Sequence, residues 1–364
     1  MKNSPIIYGG LAALLTVSAS ANAQSTYTIF GTVDAAVTRV DEGGNGHVTG
    51  LTSGSNNVSR LGFKGSKDLG GGLTGSFWAE GTLGSDDGTA SGFNFTRRTT
   101  VSLANSLGEI RLGRDYAPSY WNVTLFDPFK TRGVGQLLDF NGASLGSTNV
   151  VRNSNSVGYF LPSNLGGIYG QVQYAFGEQA STVLNNKAGN HLSGRFGYSN
   201  GPLNVAVAYG VTSQLYGANN GTPPATGADL KTADIGGSYD FGVVKAIAYA
   251  GSSRVEGGSK QPNSRLDTIM LAATAPLGAS LLRASFSRYD LQNSSNDAYK
   301  FALGYVYNLD SSTAVYVTGA RLQNKGTAQY SVAGKAGDEQ GITTTLPAPG
   351  RASTGGDVGF TYSF

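Results

Sequence analysis

The sequence predicts an all-β protein, a sixteen-stranded antiparallel transmembrane β-barrel with short turns at one rim and long loops at the other. Three observations predict it. Segments of about ten residues alternate apolar and polar side chains. The connections between them alternate between tight and long. The composition is glycine-rich and aromatic, with 54 glycines, 19 tyrosines and 16 phenylalanines and no cysteine.

Taken from the N-terminus, the first residues read as an export signal. Lys2 supplies a positive start, Ile6 to Val17 a short apolar stretch, and Ala21-Asn22-Ala23 a small-x-small cleavage site. Residues 1–23 are expected to be removed, leaving 24–364 as the barrel. The apolar stretch is shorter than the roughly 20 residues a membrane-spanning helix needs, and no later window comes closer, so a helical membrane protein is excluded.

Strands are expected near 24–39, 58–66, 73–84, 93–103, 108–115, 151–160, 168–177 and 191–199, then 202–211, 230–239, 242–251, 265–275, 279–289, 297–307, 312–321 and 354–364. The last shows the pattern best: Val358, Phe360, Tyr362 and Phe364 share one face, and Asp357, Gly359, Thr361 and Ser363 the other. Tyr299, Phe301, Leu303, Tyr305 and Tyr307 repeat it, as do Leu192, Phe196 and Tyr198 against Ser193 and Arg195. A soluble sandwich would turn the apolar parity toward a core, so alternation alone does not separate the two folds. The export signal, the long loops and the terminal Phe364 favour the barrel.

Tight turns such as Asp68-Leu69-Gly70-Gly71, Ser199-Asn200-Gly201 and Pro276-Leu277-Gly278 alternate with long Gly/Asn/Ser/Thr-rich stretches at 40–57, 178–190, 211–229 and 322–353. With sixteen strands the interior is too wide for side chains to fill, so water occupies it. Closure also removes sheet edges and stabilises an exported chain that has no disulfide.

Other classes fare poorly. A formal net charge of +3 is far from the dense basic patch a nucleic-acid partner requires. The two histidines, His47 and His191, lie in or beside loops without metal-ligand spacing, and neither sits in a nucleophile–base motif, so no metal, cofactor or enzyme activity is expected. Gly133-x-Gly135 is a lone fragment in a loop, not a phosphate cradle.

The stretch Asn57-Val58-Ser59-Arg60-Leu61-Gly62-Phe63-Lys64-Gly65 with Asp68-Leu69-Gly70-Gly71-Gly72, the pair Arg97-Arg98-Thr99-Thr100-Val101 and Gly108-Glu109-Ile110-Arg111-Leu112-Gly113-Arg114, the opening Tyr27 to Asp34 and the terminal Tyr362-Ser363-Phe364 resemble the general porins of betaproteobacteria. The resemblance spans essentially the whole mature chain. It implies a homotrimer set in outer-membrane lipid and lipopolysaccharide. It also implies short periplasmic turns, long extracellular loops, a third loop folded into the lumen, and recognition of Phe364 by the barrel-assembly machinery.

Strand parity assigns Arg60, Lys64, Arg98, Arg111 and Arg152 to the lumen, with Arg195, Arg283 and Lys300, against the inward acids Asp34, Glu80, Asp234 and Asp357. A charge facing hydrocarbon at the midplane would cost about 2–4 kcal/mol, so these groups belong in water. Residues 116–150 form the longest early insertion, carrying Asp127, Lys130, Arg132 and Asp139 among Trp121, Phe126, Phe129 and Phe140, and the resemblance implies that it folds inward as the constriction loop. Facing rows of loop acids and wall arginines would set up a transverse field. The excess of cations predicts passive diffusion of small hydrophilic solutes with a preference for anions. A substrate-selective channel of the same build, for organic acids or phosphate, is the alternative, and an outer-membrane enzyme or adhesin a third class.

Overall fold

The computed structural model describes residues 25–88, 94–138, 151–182, 186–213, 228–257, 264–333, 342 and 344–364. The expected signal at 1–23 lies outside them, as do Asp139 and Phe140. In chain order the strands are β1 (Ser25–Glu42), β2 (His47–Ser53), β3 (Arg60–Gly70), β4 (Leu73–Thr82), β5 (Arg98–Asn105) and β6 (Gly108–Tyr116). After the helix α1 (Pro118–Phe126) come β7 (Arg152–Phe160), β8 (Ile168–Ala175), β9 (His191–Asn200), β10 (Leu203–Thr212), β11 (Asp229–Asp240) and β12 (Lys245–Glu256). The sheet ends with β13 (Ser264–Leu277), β14 (Ser280–Leu291), β15 (Ala298–Asn308), β16 (Thr313–Asn324) and β17 (Ala352–Ser363).

From β3 to β17 consecutive strands pair antiparallel, and β1 closes the sheet on β17 from Thr32↔Ser363 to Glu42↔Ser353. Both β2 and β3 lie along the other side of β1, β2 on Ala35–Asp41 and β3 on Ser25–Thr32. Together they fill one position, so the barrel has sixteen staves, one of them in two pieces.

Two expected boundaries are corrected. The stretch 40–57 is not all loop: β1 runs to Glu42, turns through Gly44 and Gly46 at positive φ, and returns as β2. Asp41, His47 and Thr49 occupy the outward parity there, so pairing continues after the apolar alternation has stopped. The strand expected at 93–103 starts at Arg98, because Phe95 has φ 45° and cannot extend.

The two parities separate as the sequence requires. On β17, Val358 and Phe360 are 62% and 47% exposed while Asp357 and Thr361 are 0% and 3%. On β15, Phe301 and Leu303 face out while Lys300 and Ala302 are buried. A continuous apolar belt therefore surrounds the barrel.

The packed core sits inside the barrel, between its wall and the segment that follows β6. Pro118 opens α1 at a position where a missing N–H costs nothing. Phe126 lies over Gly236, where any Cβ would collide with the ring, and the Asn122 amide donates to Asp234 and to the Ala206 carbonyl. Tyr116, Tyr120, Val123, Phe126, Phe129, Val134, Leu137 and Leu138 pack with Tyr249, Met270 and Tyr289 into one cluster. The segment 117–138 is thereby held against β9–β17.

Candidate functional site

Strands β3 to β7 carry the basic wall. Arg60 pairs across the sheet with Thr32 and Thr82, both buried on the inward parity, and Lys64 with Thr28 and Trp78. Arg98 lies opposite Glu80, 3.7 Å from Asp115, with its guanidinium 4.4 Å from the Trp78 ring. Neither Arg60 nor Lys64 forms an ion pair among the described residues.

Two other cations of the wall, Arg111 and Arg97, are paired with carboxylates where they stand. Arg111 donates to Asp115 at 2.6 Å and to Glu109 at 3.0 Å, and lies 3.9 Å over the Phe160 ring. Arg152 is buried, 4.7 Å over Tyr116. The neighbour of Arg98, Arg97, is the more deeply buried of that pair: it donates to Glu80 at 2.7 Å and to the Tyr116 hydroxyl at 2.5 Å. Arg97 precedes β5, so strand parity had no hold on it. An inward acid on the facing strand was the available signal.

The inward acids are all engaged. Asp34 accepts from Tyr316, Thr361 and the backbone N–H groups of Asn56 and Asn57. Asp357 accepts from Thr38 and from the Val134 N–H. Asp234 accepts from Asn122, and Glu80 from Arg97 and the Trp78 indole.

The loop residues divide differently from their expected roles. Asp127 forms no ion pair with the wall cations among the described residues. It is buried inside its own turn, accepting from the N–H groups of Phe129, Thr131 and Leu137 at 2.9, 2.8 and 2.9 Å. Arg132 is buried too, hydrogen-bonded to Tyr120, and burial lowers its pKa to about 10. Of these three, Lys130 alone is exposed, and its pKa is lowered by burial of part of the side chain and by the like charges of Arg283 and Arg60. The expected transverse field, with loop acids opposite wall arginines, is thus corrected among the described residues: the loop offers the bore a cation. The physical reason is local, since three backbone donors draw the Asp127 carboxylate into the turn.

Tyr116 and Trp121 are part of the packed cluster: Tyr116 stacks on Tyr120 at 5.4 Å and meets Trp121 edge-on at 5.1 Å. His191 is buried at the start of β9 with both ring nitrogens engaged, one by Thr212 and one by Ser193. Phe364 ends the chain at the barrel seam, exchanging two 3.0 Å backbone hydrogen bonds with Gly31.

Comparison with known proteins accounts for this arrangement. A family described as Gram-negative porin matches residues 10–327. Outer membrane porin protein 32 of Delftia acidovorans is 35% identical, with 97% of this chain and 98% of that protein covered. An outer membrane porin protein of Bordetella pertussis is 30% identical over 86% of this chain and 93% of its own length. Among solved structures, an anion-selective porin from Comamonas acidovorans superimposes with a TM-score of 0.84 at 32% identity, covering 94% of this chain and all of that one. OmpT of Vibrio cholerae, at 15% identity and a TM-score of 0.66 over 93% of this chain and 98% of its own, shares the fold. The chain belongs to the Gram-negative porins, outer-membrane channels for passive solute diffusion and not enzymes.

Proposed function

We propose that this porin prefers anions and that the segment 116–150 narrows its bore. The observation that carries the reading is the placement of Lys130, exposed on the loop and close enough to Arg60 and Arg283 for their charges to depress its pKa. Wall and loop then present the same sign to a passing ion, while the inward acids are tied up in the wall. The relative from Comamonas acidovorans, described as anion-selective, supports the same preference. In a water-filled bore with low-dielectric walls such a potential enriches counter-ions before any contact is made.

The reading extends to assembly. Cleavage after Ala23, a homotrimer in lipid and lipopolysaccharide, the short turns facing the periplasm, and use of Phe364 by the barrel-assembly machinery complete it. Reversal potential across a planar bilayer with a KCl gradient tests the central claim: chloride preference is expected, weakening in concentrated salt because the screening length at 0.15 M is about 8 Å. A potassium preference overturns it. Conductance steps in threes are expected in the same recordings.

A further inference from the structure

Many inward residues of the wall are small and polar, such as Thr32, Ser102, Ser193, Ser285 and Ser287. Phe30 and Trp78 depart from this. Both lie on the inward parity of neighbouring staves, with ring centroids 4.9 Å apart, and both remain partly exposed. Neither belongs to the cluster packed beneath the loop. Phe30 lies across Gly62, where a Cβ would collide with the ring, so the glycine makes room for an aromatic side chain against the wall.

Two cations accompany the rings. The Lys64 ammonium is 5.4 Å from the Phe30 centroid and 5.2 Å from that of Trp78, and Arg98 lies 4.4 Å from Trp78. Trp78 is oriented by its indole N–H, which donates to Glu80 at 3.1 Å. Beside them is a cavity of about 220 Å³, lined on the inward parity by Thr26, Thr28, Lys64, Ser66, Ser76 and Trp78. It combines an ammonium without an ion-pair partner among the described residues, hydroxyl donors and an aromatic wall. That combination suits a ligand with a charged end and a flat apolar end, since a carboxylate satisfies the ammonium and hydroxyls while a ring covers the indole. An inorganic anion would leave the aromatic surface in water. The volume is below that of ordinary drug-sized pockets, about 300 Å³ and upward, which limits the guest to roughly one ring.

We propose that this cavity is a transit subsite for small planar carboxylates, compounds with one ring and one carboxylate; it rests on the reading that the pore admits anions. Weak, selective binding on the wall would raise the flux of such solutes at low concentration, provided that release remains fast.

Benzoate and acetate are the probes. The chain has two tryptophans, so Trp121→Phe leaves Trp78 as the sole indole reporter. In the refolded channel, benzoate should change Trp78 emission saturably and acetate should not; no saturable change, or an equal response to acetate, overturns the subsite. In planar bilayers benzoate should reduce chloride current saturably. Trp78→Ala should raise the half-blocking concentration about tenfold, Trp78→Phe much less. Unaltered block in Trp78→Ala, or equal block by phosphate, rejects the subsite and leaves anion preference standing. A wild-type reversal potential favouring potassium rejects the anion reading whatever the fluorescence shows.

Discussion

The Asp357 carboxylate on β17 accepts a 2.9 Å hydrogen bond from the backbone N–H of Val134, joining the last strand to the loop that leaves β6. Both partners are buried, and the same carboxylate accepts from Thr38 at 2.7 Å. Asp357→Ala strands two buried donors at a cost of about 1–3 kcal/mol each. The variant should give noisier current and a higher mean conductance, with a lower heat-denaturation midpoint in detergent. Unchanged noise would show that the other tethers, among them Lys300, which donates to the Gln136 carbonyl at 2.6 Å, hold the loop without Asp357.

A second tether is internal to the loop. Lys130 and Thr131 both have positive φ, 53° and 60°, unusual for a residue with a Cβ and most of all for β-branched threonine. Asp127 holds the turn in that conformation through three backbone bonds. Asp127→Ala should cost about 2–4 kcal/mol and disorder the turn, whereas Thr131→Gly should be tolerated. Single-channel recordings of the two variants check this. Equal noise in both would remove Asp127 as the organiser.

Charge placement separates two classes of cation that look alike in the sequence. Arg60→Gln and Lys130→Gln should each move the KCl reversal potential toward potassium. Arg111→Gln should move it in the same direction, because it leaves the Glu109 and Asp115 carboxylates without the guanidinium that pairs both. Arg132→Gln should act on stability before selectivity, since its side chain is buried. Equal shifts in all four would mean that net charge alone, not position, sets the preference.

The pH dependence follows from Lys130. Its pKa is lowered, so the ammonium loses its proton, and the bore loses a positive charge, at a pH below the ordinary lysine range near 10.4. Anion preference should therefore begin to decline before that pH as the solution is made alkaline, and Lys130→Arg should abolish this early decline. Reversal potentials between neutral and alkaline pH would show it. An identical decline in Lys130→Arg would assign the titration elsewhere.

Breaking the buried Arg97–Glu80 pair should be more damaging than breaking any rim pair. Glu80→Gln leaves a charged guanidinium in a site that excludes water, at about 3–5 kcal/mol. Arg288–Asp290, whose side chains are 45% and 30% exposed, should cost no more than about 1 kcal/mol when broken. Heat-induced change in electrophoretic mobility ranks the two. A reversal of that ranking would mean that Tyr116 and water suffice for Arg97.

The barrel was legible because a wall between lipid and water imposes its own period on the chain, and the side chains of β15 and β17 fall on the faces that parity assigns. Parity had no hold where the chain leaves the wall. Asp127 and Arg132 look like pore residues by charge and position, yet backbone donors and loop packing bury them, and neither force has a sequence period. The return of β1 as β2 was hidden for another reason: His47 and Thr49 lie beyond the apolar belt, where strand pairing no longer needs greasy residues. Lys130 was found by charge alone, and its exposure depends on the turn that Asp127 organises.

The seam between the ends of the chain separates two roles of Phe364. Its backbone exchanges hydrogen bonds with Gly31, and a Cβ on Gly31 would collide with the Phe364 ring and come within 2.9 Å of the Arg60 carbonyl on β3. Gly31→Val should thus obstruct closure even in detergent, where no assembly machinery is present, and heat-modifiable mobility of the refolded protein should be lost. Phe364→Ala keeps both backbone bonds and removes only the ring. If the ring serves as an assembly signal, that variant should refold in detergent like the wild type yet fail to reach the outer membrane in cells. Failure in both settings would make the ring a structural part of the seam, and success in both would remove it from assembly altogether.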